Sequence, residues 1–235
     1  MPPDPYDYNR NPQGSFSVTI GDFISRTYLW MVLGLMLTFG TALVCWMTGL
    51  VQVIYNFHFV ILIATLVMSF SMSSRIERMS VASAVTCFVS FSVLFGLTMS
   101  IYLALFGLTS VLIAFFATAL FFGVLSLYGR LTHADLSGVG SILFSGLIFL
   151  LVFSLLSLFI PGMRSLDRLA CIIGIATFLG YTAYDSQRMC DLYYYYSGYP
   201  DMLEKASIFS ALQLYLNFLN LFIYLLRFMG NRNRD

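Results

Sequence analysis

The stretch MSVASAVTCFVSFSVLFGLTMSIYLALFGLTSVLIAFFATALFFGVLSLY, from Met79 to Tyr128, contains no charged residue. A helix crosses the ~30 Å hydrocarbon core of a bilayer with about 20 residues. This run is therefore too long for one span and fits two, with a break expected between Tyr102 and Ser110, where Gly107 sits. The whole chain is 59% hydrophobic and 10% charged, whereas a soluble domain is typically about 45–50% apolar and about 25% charged. These values describe an integral membrane protein. The apolar runs are continuous and do not alternate, which selects helices over a β-barrel.

Working outward from that run, a first span covers Thr27 to about Leu50, with Tyr28, Trp30 and Trp46 near its ends. A second covers Val53 to Ser74 and stops at Arg75-Ile76-Glu77-Arg78. Beyond Tyr128 comes a polar loop with Arg130, His133 and Asp135, then a fifth span from Gly138 to Ile160 that ends at the turn signal Pro161-Gly162. The sixth covers about Leu169 to Gln187, with Leu192 and Tyr193 to Tyr196 able to extend it, and the seventh covers Ser207 to Met229, with residues 189–206 expected as the longest loop. The expected organisation is a mobile tail over 1–25, an all-α bundle of seven transmembrane helices over 26–230, and a short tail over 231–235. The first 25 residues hold four prolines and no apolar core of a signal peptide.

Small residues recur four apart at Gly34 and Thr38, Ala114 and Thr118, Ala119 and Gly123, and Ser141 and Ser145. This spacing lets helices approach closely in lipid. Loops 1–2 and 3–4 carry no basic residue. The side shared by the N-terminal tail and loops 2–3, 4–5 and 6–7 holds Arg10, Arg26, Arg75, Arg78, Arg130, Arg188 and Lys205. The positive-inside tendency then places the N-terminus in the cytoplasm, although Arg227, Arg232 and Arg234 at the other end oppose it.

Net charge is +1, and no basic block suggests nucleic-acid binding. The four cysteines show neither Cys-x-x-Cys pairing nor metal-ligand spacing, and read as small apolar residues. No His-Glu-x-x-His or Gly-x-Ser-x-Gly pattern occurs. An intramembrane aspartyl protease needs a second aspartate, and the seventh span contains no acid. No enzyme and no cofactor is expected.

The chemistry concentrates on Asp185, a carboxylate inside the sixth span, in Gly180-Tyr181-Thr182-Ala183-Tyr184-Asp185-Ser186-Gln187-Arg188. A charge at membrane depth costs at least a few kcal/mol and faces a bundle interior or a cavity. A position at the membrane interface, one turn from Arg188, is the plainer alternative. On the seventh span Ser210, Gln213, Asn217, Asn220 and Tyr224 share one helix face. That face suits either an ion path or interhelical hydrogen bonds. The candidate path residues are Asp185, Asn217, Gln213 and Asn220, with Asp185 as the one carboxylate able to ligate a metal ion. Arg75 and Arg78 are candidate counter-charges or interfacial cations.

Two motifs give the chain a family resemblance: the Gly180–Gln187 stretch, and Leu214-Tyr215-Leu216-Asn217-Phe218-Leu219-Asn220-Leu221-Phe222 followed by Leu225-Leu226-Arg227-Phe228-Met229-Gly230. Asp135-Leu136-Ser137-Gly138 and Tyr28-Leu29-Trp30-Met31-Val32-Leu33-Gly34-Leu35 add to it. From about residue 25 to 232 the chain resembles the Bax inhibitor-1 (TMBIM) family, in particular its bacterial members. The resemblance implies a seven-helix bundle around a central last helix, in a bacterial inner (plasma) membrane, acting as a pH-sensitive calcium leak. It maps the family's sixth-helix aspartate onto Asp185 and an arginine latch near Arg75. The second aspartate of the pH-sensing pair falls on position 217, where this chain has Asn217. Two touching carboxylates cannot both ionise cheaply and titrate in coupled steps. Asn217 removes the like charge but can donate a hydrogen bond to an ionised Asp185.

Two functions follow as expectations. One is a cation leak pathway past Asp185 and Asn217, with calcium favoured because carboxylate, amide and hydroxyl oxygens suit it. The other is a regulator that binds other membrane proteins and moves no ion.

Overall fold

The computed structural model describes residues 18–75, 79–160 and 166–230. The described residues form seven helices and no strand: α1 (Ile20–Met47), α2 (Val51–Asn56), α3 (His58–Arg75), α4 (Val81–Leu131), α5 (Val139–Phe159), α6 (Asp167–Tyr196) and α7 (Pro200–Gly230). Among them α1, α4, α5, α6 and α7 are long and apolar enough to cross a membrane. Their outward faces stay apolar: Met36 is 67% exposed and Ile142 70%. Such faces would be intolerable in water but suit hydrocarbon.

α1 begins earlier than the apolar run suggests. Thr19 caps it through a capping box, its hydroxyl accepting from the Asp22 amide at 3.1 Å while the Asp22 carboxylate accepts in return. The helix thus starts inside the segment assigned to the tail. The expected second span is two helices, because the chain leaves helical geometry at Phe57 between α2 and α3. The expected loop over 189–206 is a larger correction. α6 continues to Tyr196 and α7 starts at Pro200, which leaves only 197–199 as a connection. The charged and aromatic residues there sit on the end of α6 and the start of α7.

The uncharged run from Met79 to Tyr128 forms most of α4, a 51-residue element broken at Gly107, whose φ of 74° and ψ of 158° only glycine adopts without strain. The two halves run in opposite directions. In the first, Thr38 of α1 donates to the Ser92 carbonyl at 3.0 Å, and Gly96 lies against Thr41. That half advances with α1. In the second, Phe39 meets Phe115 at 4.9 Å and the Tyr28 hydroxyl bonds that of Ser126, so this half runs back along α1. The break therefore makes a helical hairpin where the sequence places it.

α7 is the centre of the bundle. It packs against α1, α4 and α6. Ile208, Leu212, Leu214, Tyr215, Leu219, Leu221 and Phe222 are fully buried on its surface. α7 runs with α1 (Thr27 beside Ser207, Thr38 beside Tyr215) and against α6. Of the four small-residue pairs, Gly34 and Thr38 pack against the first half of α4, and Ala114 and Thr118 are buried. Ala119 with Gly123 and Ser141 with Ser145 face outward, so spacing alone did not separate packing from lipid-facing pairs.

Candidate functional site

Asp185 sits on the inner face of α6, 7% exposed, where α6 crosses α7. Asn217 reaches it from the central helix and donates through Nδ2 to Asp185 Oδ2 at 2.7 Å. The amide is buried as well. A carboxylate that takes a short bond from a side-chain amide keeps part of the hydrogen bonding it loses on leaving water. No salt bridge to Asp185 is formed among the described residues. Arg188 lies one turn further along α6 and is exposed.

The other candidates separate from this pair. Asn220 donates to the Leu216 carbonyl of its own helix at 2.8 Å, and Gln213 is half-buried. Tyr224 stacks on Phe178 at 5.9 Å between ring centres. The shared face of α7 is real, but only Asn217 joins the carboxylate. Arg75 ends α3, and its side chain, like the whole of Arg78, lies outside the described residues.

Asp185 lies within one turn of the bundle's polar end. The neighbouring Gln187 ties the α4–α5 loop to α6, accepting from the Leu136 amide at 3.0 Å and donating to the Ala134 carbonyl at 2.8 Å. Two polar hollows of about 470 and 310 Å³ open there and share Asp135, Gln187 and Asp191. In that loop the Asp135 carboxylate accepts from the Ser137 amide at 2.8 Å, which holds its carboxyl below the ordinary range and keeps it charged.

Beside the Asp185–Asn217 pair runs a hydroxyl chain that sequence inspection did not anticipate. Tyr28 bonds Ser126, and Ser126 lies 2.9 Å from Ser186, the neighbour of Asp185. Arg130 covers the chain, its guanidinium 5.3 Å from the centre of the Tyr28 ring, with its Nε buried and unpartnered. The helices come this close because Gly129 has no side chain and faces the Ala183 backbone. One serine in an apolar run carries no signal of its own, and only the crossing of α4 and α6 joins the two. At the opposite end, Arg227 in the last turn of α7 pairs with Asp167 in the first turn of α6. Each charge also suits the helix end it occupies.

The sequence has counterparts among known proteins. The family model described as Inhibitor of apoptosis-promoting Bax1 matches residues 21–234. An inner membrane protein of Escherichia coli, YbhL, is 34% identical over 218 residues, covering 89% of this chain and 92% of its own length. Uncharacterized proteins of Rickettsia prowazekii and Deinococcus radiodurans are 35% and 36% identical, covering 93% and 90% of this chain and 93% and 91% of their own. A family match over nearly the whole helical bundle, with an inner membrane protein among the relatives of equal extent, establishes this chain as a multi-pass membrane protein of the Bax inhibitor-1 family.

Proposed function

We propose that the protein is a passive cation pathway, with calcium as the permeant ion, in the inner membrane of a bacterium. The carrying observation is Asp185, a carboxylate buried in an apolar helix and bonded to Asn217 of the central helix at 2.7 Å. A carboxylate enclosed between apolar helices is costly unless a partner or a pathway uses it. One carboxylate with amide and hydroxyl neighbours makes a weak oxygen site, which suits passage better than storage. In this reading α2 and α3 form one crossing and the halves of α4 two more, which brings the total to seven. The N-terminus then lies in the cytoplasm, together with Arg26, Arg130, Arg188 and Lys205. A single cysteine near Asn56 in a Cys-free variant should react with an impermeant reagent from outside the cell, and reaction from the cytoplasm alone would reverse the orientation.

The direct test is calcium entry into liposomes holding purified protein, read by an enclosed indicator. Wild type should pass calcium above protein-free liposomes. Asp185→Asn, inserted at equal density, should change the flux several-fold. Equal flux in the two would remove Asp185 from the path.

A second reading, a regulator that binds other membrane proteins, draws on the bonding of α7. Ser207 meets Thr27 at 3.1 Å, Tyr215 meets Thr38 at 2.5 Å, and Asn220 bonds its own helix. In this reading the Ser207 and Tyr215 contacts hold α7 to α1, and the polar face of α7 serves packing instead of passage. Wild-type liposomes no leakier than empty ones would favour this reading.

A further inference from the structure

Beyond the Asp185–Asn217 pair, α6 and α7 meet again. Phe178 lies seven residues before Asp185 on α6, and Tyr224 lies seven after Asn217 on α7. Seven residues return a helix to nearly the same face about 10 Å further on. Because the two helices are antiparallel, the second pair follows the first along one seam that leads to the Arg227 end. There the rings of Phe178 and Tyr224 stack at 5.9 Å between centres, with 22° between their planes. Tyr224 also rests on Gly174, where an added Cβ would lie 2.6–2.7 Å from three atoms of its ring. Only a glycine lets the ring come so close to the α6 backbone. The Arg227 guanidinium, paired with Asp167, lies 5.7 Å from the centre of the same ring. Leu150, Leu221 and Leu225 complete the buried apolar cluster around Phe178. On its other side Asp185 is close to Gln187 and the polar hollows.

We propose that the Phe178–Tyr224 stack is the closed gate of the pathway past Asp185, leaving that carboxylate open to the Gln187 end alone. The inference rests on the cation-pathway reading and adds the place where the path is shut. A cation travels with its hydration water, and water held in a constriction needs two to four polar partners. The side chains of Phe178, Leu150, Leu221 and Leu225 offer none. A hydrated ion leaving Asp185 along the seam is therefore stopped by dewetting, as at other hydrophobic constrictions. The polar residues Asp167 and Arg227 lie beyond the stack and cannot hand an ion to Asp185 while the rings stay in contact.

Two readouts test the gate. The first is calcium entry into liposomes holding the full chain at matched density, with folding checked by circular dichroism. Tyr224→Ala should raise the flux several-fold over wild type. Restoring the ring alone with Tyr224→Phe should bring it back down, because the ring makes the seal. Phe178→Leu keeps apolar bulk but loses the stacking face, so it should raise the flux too, and it serves where Tyr224→Ala does not fold. The second readout needs no conduction. In a Cys-free chain, Leu221→Cys places a thiol between Asn217 and Tyr224 on α7, and a charged thiol reagent is added from the Arg227 side. That thiol should be protected, and Tyr224→Ala should make it react several-fold faster. A thiol exposed by loss of the ring, in liposomes that all stay as tight as empty ones, would overturn the cation pathway but not the seal. Wild-type flux that neither Tyr224→Ala nor Phe178→Leu raises, or a thiol equally reactive with and without the ring, would overturn the gate.

Discussion

Gly129→Ala is the sharpest test of how the site is assembled. At the crossing of α4 and α6, a Cβ on residue 129 would overlap the Ala183 carbonyl oxygen and lie 2.8 Å from both its carbonyl carbon and its Cα. These are backbone atoms, so no rotamer relieves the contact. Carbon pairs are comfortable at about 3.5 Å, so the carbon contacts alone part the helices by roughly 0.7 Å, and the closer oxygen demands more. The Ser126–Ser186 hydroxyl contact, 2.9 Å in the wild type, would then stretch to about 3.6 Å, which is no longer a hydrogen bond. Three effects compete. Alanine favours a helix interior over glycine by about 0.5–1 kcal/mol. Overpacking costs about 1–3 kcal/mol. Losing the hydroxyl bond costs about 0.5–1.5 kcal/mol. The net expectation is a loss of roughly 0.5–4 kcal/mol, the sum of the last two effects less the first. Denaturant unfolding in mixed micelles, followed by circular dichroism, reads it directly. Gly123→Ala is the internal control, because the same helix has nothing within 4 Å at that position. It should be neutral or stabilising by up to about 1 kcal/mol. A Gly129→Ala protein as stable as wild type would show that α4 and α6 do not touch there, and the hydroxyl chain beside Asp185 would lose its basis.

Gly107→Ala meets no atom within 4 Å, so its cost is the backbone alone: about 1–3 kcal/mol for a non-glycine residue at this φ and ψ, read in the same unfolding assay. Asn217→Asp would set a second carboxylate against Asp185, where both cannot be charged together. Calcium flux, which follows a single titration at most in wild type, should gain a second, higher apparent pKa and a steeper dependence between about pH 5 and 8, and superimposable flux–pH curves would show that the two positions do not interact. Arg227→Gln removes a partly buried ion pair whose side chains are 30% and 25% exposed, so the loss should fall between that of a surface pair and that of a buried one, about 1–3 kcal/mol. Added salt should narrow the difference in melting temperature between this variant and wild type.

Much of the fold is legible from the chain because hydrocarbon as a solvent leaves little choice. Every backbone polar group must bond within its own segment, so the uncharged run from Met79 to Tyr128 had to become helix. Its length demanded a break, and Gly107 was the residue able to make one. Asp185 stood out for the same reason, as a charge where charges are costly. Helix ends at the membrane surface were less legible. There water can satisfy the backbone, hydropathy stops being decisive, and α6 and α7 run through the polar and aromatic residues around Tyr196 and Pro200. Partners were least legible of all. A face of five polar residues on α7 can be read from a 3.6-residue period, but the period does not say which neighbour each one meets. Only the crossing of α6 over α7 joined Asn217 to Asp185 and turned Asn220 back on its own helix. Only the close approach at Gly129 joined Ser126 to Ser186 across 60 residues of sequence. Local chemistry dictates where a chain becomes helix, whereas a hydrogen bond between helices depends on distances of a few tenths of an ångström that the packing of the whole bundle sets.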